Sequence, residues 1–201
     1  MRIVSLRHGR TQANDARLYC GRTDLSLSES GRAELVELQK NNGYPDITGM
    51  RVFTSGMKRT DETLQAIYGE VEHTALDALR EMDFGAFEMH SYEQLKDVPE
   101  YRAWCEGDNE ANIAPGGESG NIMTRRVLEC FDGLLRGNED FVIVSHGGPV
   151  SAIMAHLFRY EGKNRYQWQP PNGRGYLLSI DGRTITYESI PRGGDQHVGK
   201  A

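Results

Sequence analysis

Three places in the chain put basic or imidazole side chains directly after a short apolar run. Arg7-His8 follows Ile3-Val4-Ser5-Leu6, Arg59 lies one helical turn past Thr54-Ser55, and His146 follows Phe141-Val142-Ile143-Val144-Ser145. If the three runs are neighbouring strands, two arginines and two histidines converge on one point. Guanidinium forks match phosphate oxygens in a bidentate way. Gly9 and Gly147 let backbone N–H groups approach an anion closely, and helix N-termini add a favourable dipole. Each element has a blander reading by itself: an Arg-His-Gly tripeptide is a weak signal, a loop arginine is a solvated charge, and a lone histidine packs in a core. Their joint occurrence at strand ends points to an anion site, and to a phosphate first.

The elements that would position these residues are legible in the hydrophobic periodicity. Ile3 to Leu6 reads as a buried strand followed by the loop Arg7-His8-Gly9-Arg10-Thr11. Ser28-Glu29-Ser30-Gly31 leads into a helix over 32–40, with Ala33, Leu35, Val36 and Leu38 on its apolar face and Asn41-Asn42-Gly43 as its stop. Residues 51–54 read as a second strand, with Ser55 opening a helix that Gly69 closes; 70–78 give a third, weaker strand. A helix is expected over 121–136, a buried strand over 141–145, and a helix from Pro149 to about Phe158. Residues 176–190 read as a hairpin turning at Asp181-Gly182.

This alternation predicts an α/β fold: a three-layer α/β/α arrangement with a mostly parallel central sheet. In such sheets ligands bind beyond the carboxyl ends of strands. The irregular stretch at about 79–120, rich in Glu, Gly and aromatic residues, is expected to be an inserted cap or lid. Residues 1–192 read as one domain, and the tail 193–201, which lacks an apolar pattern, is expected to fray.

Composition narrows the function. The chain has 201 residues, 38% hydrophobic and 26% charged, which is neither a disordered nor a membrane composition. Its apolar runs are short, against the roughly 20 residues a bilayer span needs, and Arg7 comes too early for a signal peptide's apolar stretch. A net charge of -6 argues against a broad nucleic-acid-binding role but not against a small anionic substrate. Cys20, Cys105 and Cys130 are odd in number and lack CxxC spacing, which disfavours a disulfide framework or thiolate metal site and fits a reducing cytoplasm. No HExxH or comparable pattern exists, so neither metal nor cofactor is expected. His73, His90, His156 and His197 read as surface or packing residues, while Tyr92, Tyr101 and Trp104 read as lid packing that could also wall a pocket.

Several blocks carry a family resemblance. Ile3-Val4-Ser5-Leu6-Arg7-His8-Gly9-Arg10-Thr11 with Asn14, the stretch Gly21 to Gly31, Thr54-Ser55-Gly56-Met57-Lys58-Arg59-Thr60, Leu79 to Glu88, Pro115-Gly116-Gly117-Glu118-Ser119 and Ser145-His146-Gly147-Gly148 occur in this order over residues 1–150. Together they resemble the histidine phosphatase superfamily, in its phosphoglycerate-mutase-like branch. The resemblance implies that His8 is a nucleophile forming a phosphohistidine, and that Arg7, Arg59 and a protonated His146 hold the transferring phosphoryl group. It implies Glu81 as the acid that protonates the leaving oxygen and later activates water. Asn14 and the Gly147 backbone would be further phosphate contacts, with Thr11 and Gly21 lining the pocket. Without the resemblance Glu81 would read as a solvated surface carboxylate beside Arg80 and Asp83, and Glu88 reads as a supporting residue.

The expected activity is a metal-independent phosphomonoesterase acting on a small phosphorylated metabolite. The alternatives are a cofactor-dependent phosphoglycerate mutase and a silent phosphoester- or protein-binding member of the fold. The segment from Glu81 to Pro115 is short for a mutase and has Arg102 as its one arginine, and Gly147-Gly148 follows His146 where mutases usually have asparagine at the second position. The silent reading is disfavoured because all five catalytic positions are filled. Tyr19-Cys20-Gly21-Arg22-Thr23-Asp24 and the compact Arg80-to-Glu88 block resemble α-ribazole phosphatases, which makes α-ribazole 5'-phosphate a candidate substrate. Ser26, Phe87 and Met89 depart from the family's common proline, tryptophan and glycine, and Met89 bears on the lid's shape. Neither nucleic acid nor membrane is expected as a partner, and a homodimer is compatible with the sequence.

Overall fold

Phe141–Ser145 is a strand buried at every residue, and the rest of the fold is arranged around it. In a computed structural model that describes residues 1–41, 43–108 and 110–192 and the backbone of 198–200, the chain runs β1 (Arg2–Arg7), α1 (Gln12–Asp15), α2 (Glu29–Lys40), β2 (Arg51–Thr54), α3 (Lys58–Tyr68) and β3 (Thr74–Ala75). It continues through short 3-10 turns and the small helices α4 (Tyr92–Leu95) and α5 (Pro99–Cys105), then α6 (Gly120–Leu135), β4 (Phe141–Ser145), α7 (Gly147–Leu157), β5 (Gly175–Asp181), β6 (Thr184–Ile190) and β7 (Val198–Lys200).

The sheet order is β3-β2-β4-β1-β5-β6-β7. Strands β3, β2, β4 and β1 are parallel, whereas β5, β6 and β7 join antiparallel. The sheet is thus mixed, and its parallel part carries the candidate site. A strand's side chains alternate between faces, and the core divides accordingly. Ile3, Phe53, Phe141, Ile143 and Leu178 pack under α6 and α7, against Met123, Val127, Phe131, Val150 and Ile153. Val4, Leu6, Val52, Val142, Val144 and Leu177 pack on the other face against Leu35 of α2 and Leu64 and Ile67 of α3. Two apolar faces covered by helices are what make the three α/β/α layers.

Parallel pairing of β1 with β4 sets Arg7 opposite Ser145, and pairing of β2 with β4 sets Thr54 opposite Val144. The chain therefore leaves all three strands at the same edge, with His8, Ser55 and His146 next in line. The segment from Asp77 to Glu118 forms the cap, and Phe87, Leu95, Tyr101 and Ala114 give it a small core of its own.

Some boundaries differ from the sequence reading, each for a local reason. Helix α2 starts at Glu29 because Ser28 Oγ accepts the Gly31 N–H as an N-cap. Helix α3 starts at Lys58 rather than at Ser55, whose hydroxyl is committed elsewhere. The tail does not fray throughout: Val198–Lys200 pair with β6, since an edge strand offers backbone partners to any sequence. Residues 193–197 and 201 lie outside the described residues.

Gly175 shows how closely β5 approaches β1. A Cβ there would overlap the Ser5 carbonyl and crowd Leu6. Gly175→Ala should therefore cost about 1–3 kcal/mol of stability by overpacking. Thermal unfolding checks this: an unchanged Tm would mean the strands can separate without penalty.

Candidate active site

His8 lies one residue past β1 and is buried. Its backbone N–H donates to Ser145 O at 2.9 Å, extending the β1–β4 ladder by one bond. Its Nδ1 lies 2.6 Å from Gly9 O. A carbonyl can only accept, so Nδ1 carries the proton and Nε2 presents a lone pair. Burial, reinforced by the Arg59 and Arg7 charges, holds this imidazole well below the usual histidine range. His8 is thus a neutral base with one free nitrogen, the state a nucleophile requires.

His146 is fully buried, with its ring edge-on to His8 at 5.1 Å between centroids. Arg59 Nε donates to its Nδ1 at 3.2 Å. The His146 proton must then sit on Nε2, which lies 2.8 Å from Ser55 Oγ. Ser55 in turn donates to Thr60 Oγ1 at 3.1 Å, and Thr60 to Met57 O at 2.7 Å. Because a guanidinium only donates and a carbonyl only accepts, every proton in this chain has a fixed direction. Burial first, then Arg59, keeps the His146 pKa well below the usual range. Full desolvation first, then the Arg59 and Arg7 charges, disfavour the protonated form that the sequence reading gives His146 during phosphoryl transfer.

Arg59 is 1% exposed. It donates to Thr23 O at 2.8 Å and Gly21 O at 2.7 Å. Arg7 donates to Pro170 O at 2.8 Å, while its buried Nε has no partner among the described residues. The Glu81 carboxylate accepts the Met82 N–H at 3.0 Å and the Gly148 N–H at 2.9 Å. A Cβ on Gly148 would overlap that carboxylate, so glycine there lets Glu81 reach the start of α7. Glu81 borders a cavity of about 360 Å³ walled by Tyr19, Phe84, Trp104, Tyr166 and Arg165. A larger cavity of about 570 Å³ lies between Leu38, Pro171 and Arg192; among the described residues no histidine, cysteine or carboxylate lines it.

The other predicted residues gather around this centre in different ways. Thr11 caps α1, its Oγ accepting the Asn14 N–H, while Asn14 Oδ1 accepts from Thr11 and from Asn172. The Asn14 amide oxygen is thereby used, and its NH2 is the group left to meet an anion. Gly21 contributes its carbonyl to Arg59 and is buried. Gly147 opens α7 directly after His146, which supplies no side-chain cap to the helix N-terminus. Glu88 is a supporting residue, accepting backbone N–H bonds from Gly21, Arg22, Thr23 and Phe84 and so holding the loop whose carbonyls bind Arg59.

Met89 has φ 60, the left-handed region where glycine costs nothing. Its N–H donates to Tyr19 O at 2.7 Å, tying the cap's turn to the cavity wall. Tyr101 is buried within the cap, Trp104 both packs there and lines the cavity, and Tyr92 is exposed. His90 and His73 are held by local contacts to Glu88 O and Val71 O. His197 falls outside the described residues. Among the described residues no group of three or more His, Cys, Asp or Glu side chains could hold a metal ion, and no helix is long and apolar enough to cross a membrane.

Sequence reasoning missed Ser55 as the partner of His146, and missed Gln169, Pro170 and Asn172, which close the site from the far end of the chain. Ser55 could have been suspected from its place at a strand end. The 169–172 segment carries no motif at all.

The model of the histidine phosphatase superfamily (branch 1) matches residues 3–191. The chain belongs to this superfamily. Among its relatives is the adenosylcobalamin/alpha-ribazole phosphatase of Salmonella typhimurium, 31% identical over 186 residues that cover 90% of this chain and 91% of the relative. A 2,3-bisphosphoglycerate-dependent phosphoglycerate mutase of Blochmanniella pennsylvanica is 25% identical, over 93% of this chain and 96% of the mutase. A crystal structure of a putative alpha-ribazole-5'-P phosphatase from Escherichia coli superposes with a TM-score of 0.83 at 25% identity, over 95% of this chain and 96% of that one. As a histidine phosphatase the chain is a phosphoric monoester hydrolase, and its α/β fold is that of the superfamily.

The buried neutral histidines make stability depend on pH with a definite sign. In the unfolded chain His8 and His146 titrate near 6.5, while in the folded protein their pKa values lie well below that. As pH falls through about 6.5 the unfolded state takes up protons that the folded state refuses. Stability should therefore drop with acidification by up to about 1.4 kcal/mol per pH unit for each histidine. Urea unfolding from pH 7.5 to 5.5 should show a shallower dependence for His146→Gln than for the unsubstituted chain. Equal slopes would mean that His146 is protonated in the fold.

Proposed function

We propose that this histidine phosphatase hydrolyses a small phosphomonoester through a phosphohistidine on His8, with α-ribazole 5'-phosphate as the first candidate substrate. The observation that carries the reading is the fixed tautomer of His8. With Nδ1 donating to Gly9 O, the free Nε2 lone pair sits in a buried site flanked by Arg7, Arg59 and His146.

In this reading Nε2 attacks phosphorus, and the bond from phosphorus to the ester oxygen breaks. Arg7, with its unpartnered Nε, and Arg59 balance the charge on the equatorial oxygens, as phosphoryl transfer requires. The Gly147 N–H and the Asn14 NH2 add donors. A dianion beside His146 would favour its protonated form, which would then donate to the phosphoryl group. Glu81 gives its proton to the leaving oxygen, since an alkoxide leaves poorly without one. Water then attacks the phosphohistidine, Glu81 takes a proton from it, and inorganic phosphate and free His8 result. The arginines fill the role a metal ion plays elsewhere, so activity should survive EDTA.

The cavity beside Glu81 supports a phosphatase over a mutase. Its one cationic lining residue, Arg165, is already paired with Glu110 at 2.7 Å, so no free cation among the described lining residues waits for a substrate carboxylate. Its aromatic wall suits an organic leaving group with a flat apolar part. The cysteines, free in the structure, support a cytoplasmic reading, and residues 1–192 act as one domain in it.

Three measurements test the proposal. Phosphate release from α-ribazole 5'-phosphate should exceed that from 3-phosphoglycerate. Acid-labile, base-stable phosphoprotein should be trapped during turnover and vanish in His8→Ala; its persistence there would overturn the nucleophile. Glu81→Gln should lower kcat/KM by about 10²–10⁴-fold for an alkyl phosphate and clearly less for p-nitrophenyl phosphate, whose phenolate leaves unaided. An equal loss on both substrates would move Glu81 to a structural role.

A further inference from the structure

Glu81 stands on a segment with no regular hydrogen-bonding pattern beyond the 3-10 turn at Asp77–Leu79. Half-buried carbonyl groups in such a segment need donors from elsewhere. Leu79 O receives the Ser145 hydroxyl at 2.6 Å, and Asp83 O receives the Glu118 N–H at 2.8 Å. The carbonyls of Ala78, Arg80 and Glu81 all turn to one side chain, Arg126 of α6, at 2.9, 2.7 and 2.9 Å. The same guanidinium grips both oxygens of Glu118, at 2.9 and 2.8 Å. Glu118 Oε2 also accepts the Asp83 N–H at 3.1 Å.

We infer that Arg126, anchored by Glu118, is the positioning residue that holds the proton donor Glu81 at its working distance from the leaving oxygen. This rests on Glu81 being the proton donor. A guanidinium has five N–H donors, and the contacts above use all of them on protein acceptors. Arg126 therefore has none left for a phosphoryl group and acts on catalysis only through the segment it holds. The Glu81 carboxylate itself has two backbone donors, one of them Met82 in the same segment. A shift of that segment would carry the carboxyl with it, and a misplacement of about 1 Å can cost on the order of 10²-fold in rate. A lysine cannot substitute: its ammonium lacks the planar fork that spans three carbonyls and a carboxylate together.

The test compares leaving groups, because a merely structural loss would affect both alike. Arg126→Lys should lower kcat/KM for an alkyl phosphate by roughly 10- to 100-fold. With p-nitrophenyl phosphate the loss should be no more than a few-fold, because that leaving group needs little protonation. Placed on top of Glu81→Gln, Arg126→Lys should add little, since the two then act as one unit. Equal losses on both substrates, or no loss on either, would overturn the inference. If Arg126→Lys does not fold, Glu118→Gln carries the same comparison, and a leaving-group-independent result there overturns it equally. Should Glu81→Gln show selectivity and Arg126→Lys none, only the positioning role fails. Should Glu81→Gln itself show none, the proton-donor assignment fails and this inference falls with it.

Discussion

Almost everything in the site follows from burying Arg59 beside His8 and His146. A guanidinium this deep needs acceptors, and among the described residues no carboxylate bonds to it directly. The loop carbonyls of Gly21 and Thr23 and the Nδ1 of His146 serve instead. Neutral acceptors satisfy hydrogen bonds without cancelling charge, so the positive potential stays available to an anion. Burial first, and this charge second, hold both histidines well below the usual range, which leaves the Nε2 lone pair of His8 free. Burial and this cation together disfavour the protonated form of both imidazoles.

That arrangement is costly unless its supports are rigid, and the carboxylates of the region are spent on rigidity. Glu88 collects the N–H groups of the loop that holds Arg59, and Glu118 anchors Arg126 against the Glu81 segment. Each sits outside the cationic centre and fixes backbone rather than neutralising it. Glu81 differs in that, among the described residues, its carboxylate accepts from backbone N–H groups alone. Three carboxylates from two sequence blocks therefore do different work because their donors differ.

The cap and the C-terminal segment complete the site from opposite directions. The cap brings the Phe84 and Trp104 rings over the cavity, and the 165–172 segment brings Arg165, Tyr166 and Gln169 to its other side. The Arg165–Glu110 pair ties the two together across the mouth. The strand ends of the sheet thus carry His8 and His146, and the inserted and C-terminal segments wall the cavity beside Glu81.

The sequence by itself determined strands β1, β2, β4, β5 and β6 and helices α2, α3, α6 and α7, and it placed Arg7, His8, Arg59 and His146 at strand ends that meet if those strands are neighbours. Short apolar runs that end in polar residues encode buried strands locally, and family-ordered blocks named the remaining chemistry. It also identified Glu88 as support. What only the tertiary structure decided were facts that depend on partners far apart in the chain. The lowered pKa of His146 comes from complete burial first and its closeness to Arg59 second, neither of which spacing reveals. The commitment of Ser55 to His146, rather than to a helix cap, comes from two strand ends meeting across β2 and β4. The pairing of Val198–Lys200 with β6 arose from an open sheet edge, not from any pattern in the tail. Arg126 reads in sequence as one more polar position on an amphipathic helix. Its reach over the carbonyls of Ala78, Arg80 and Glu81 exists only because α6 packs beneath a segment more than forty residues earlier in the chain. Local periodicity encodes elements, but backbone acceptors are identical at every residue, so which donor they find is settled by packing alone.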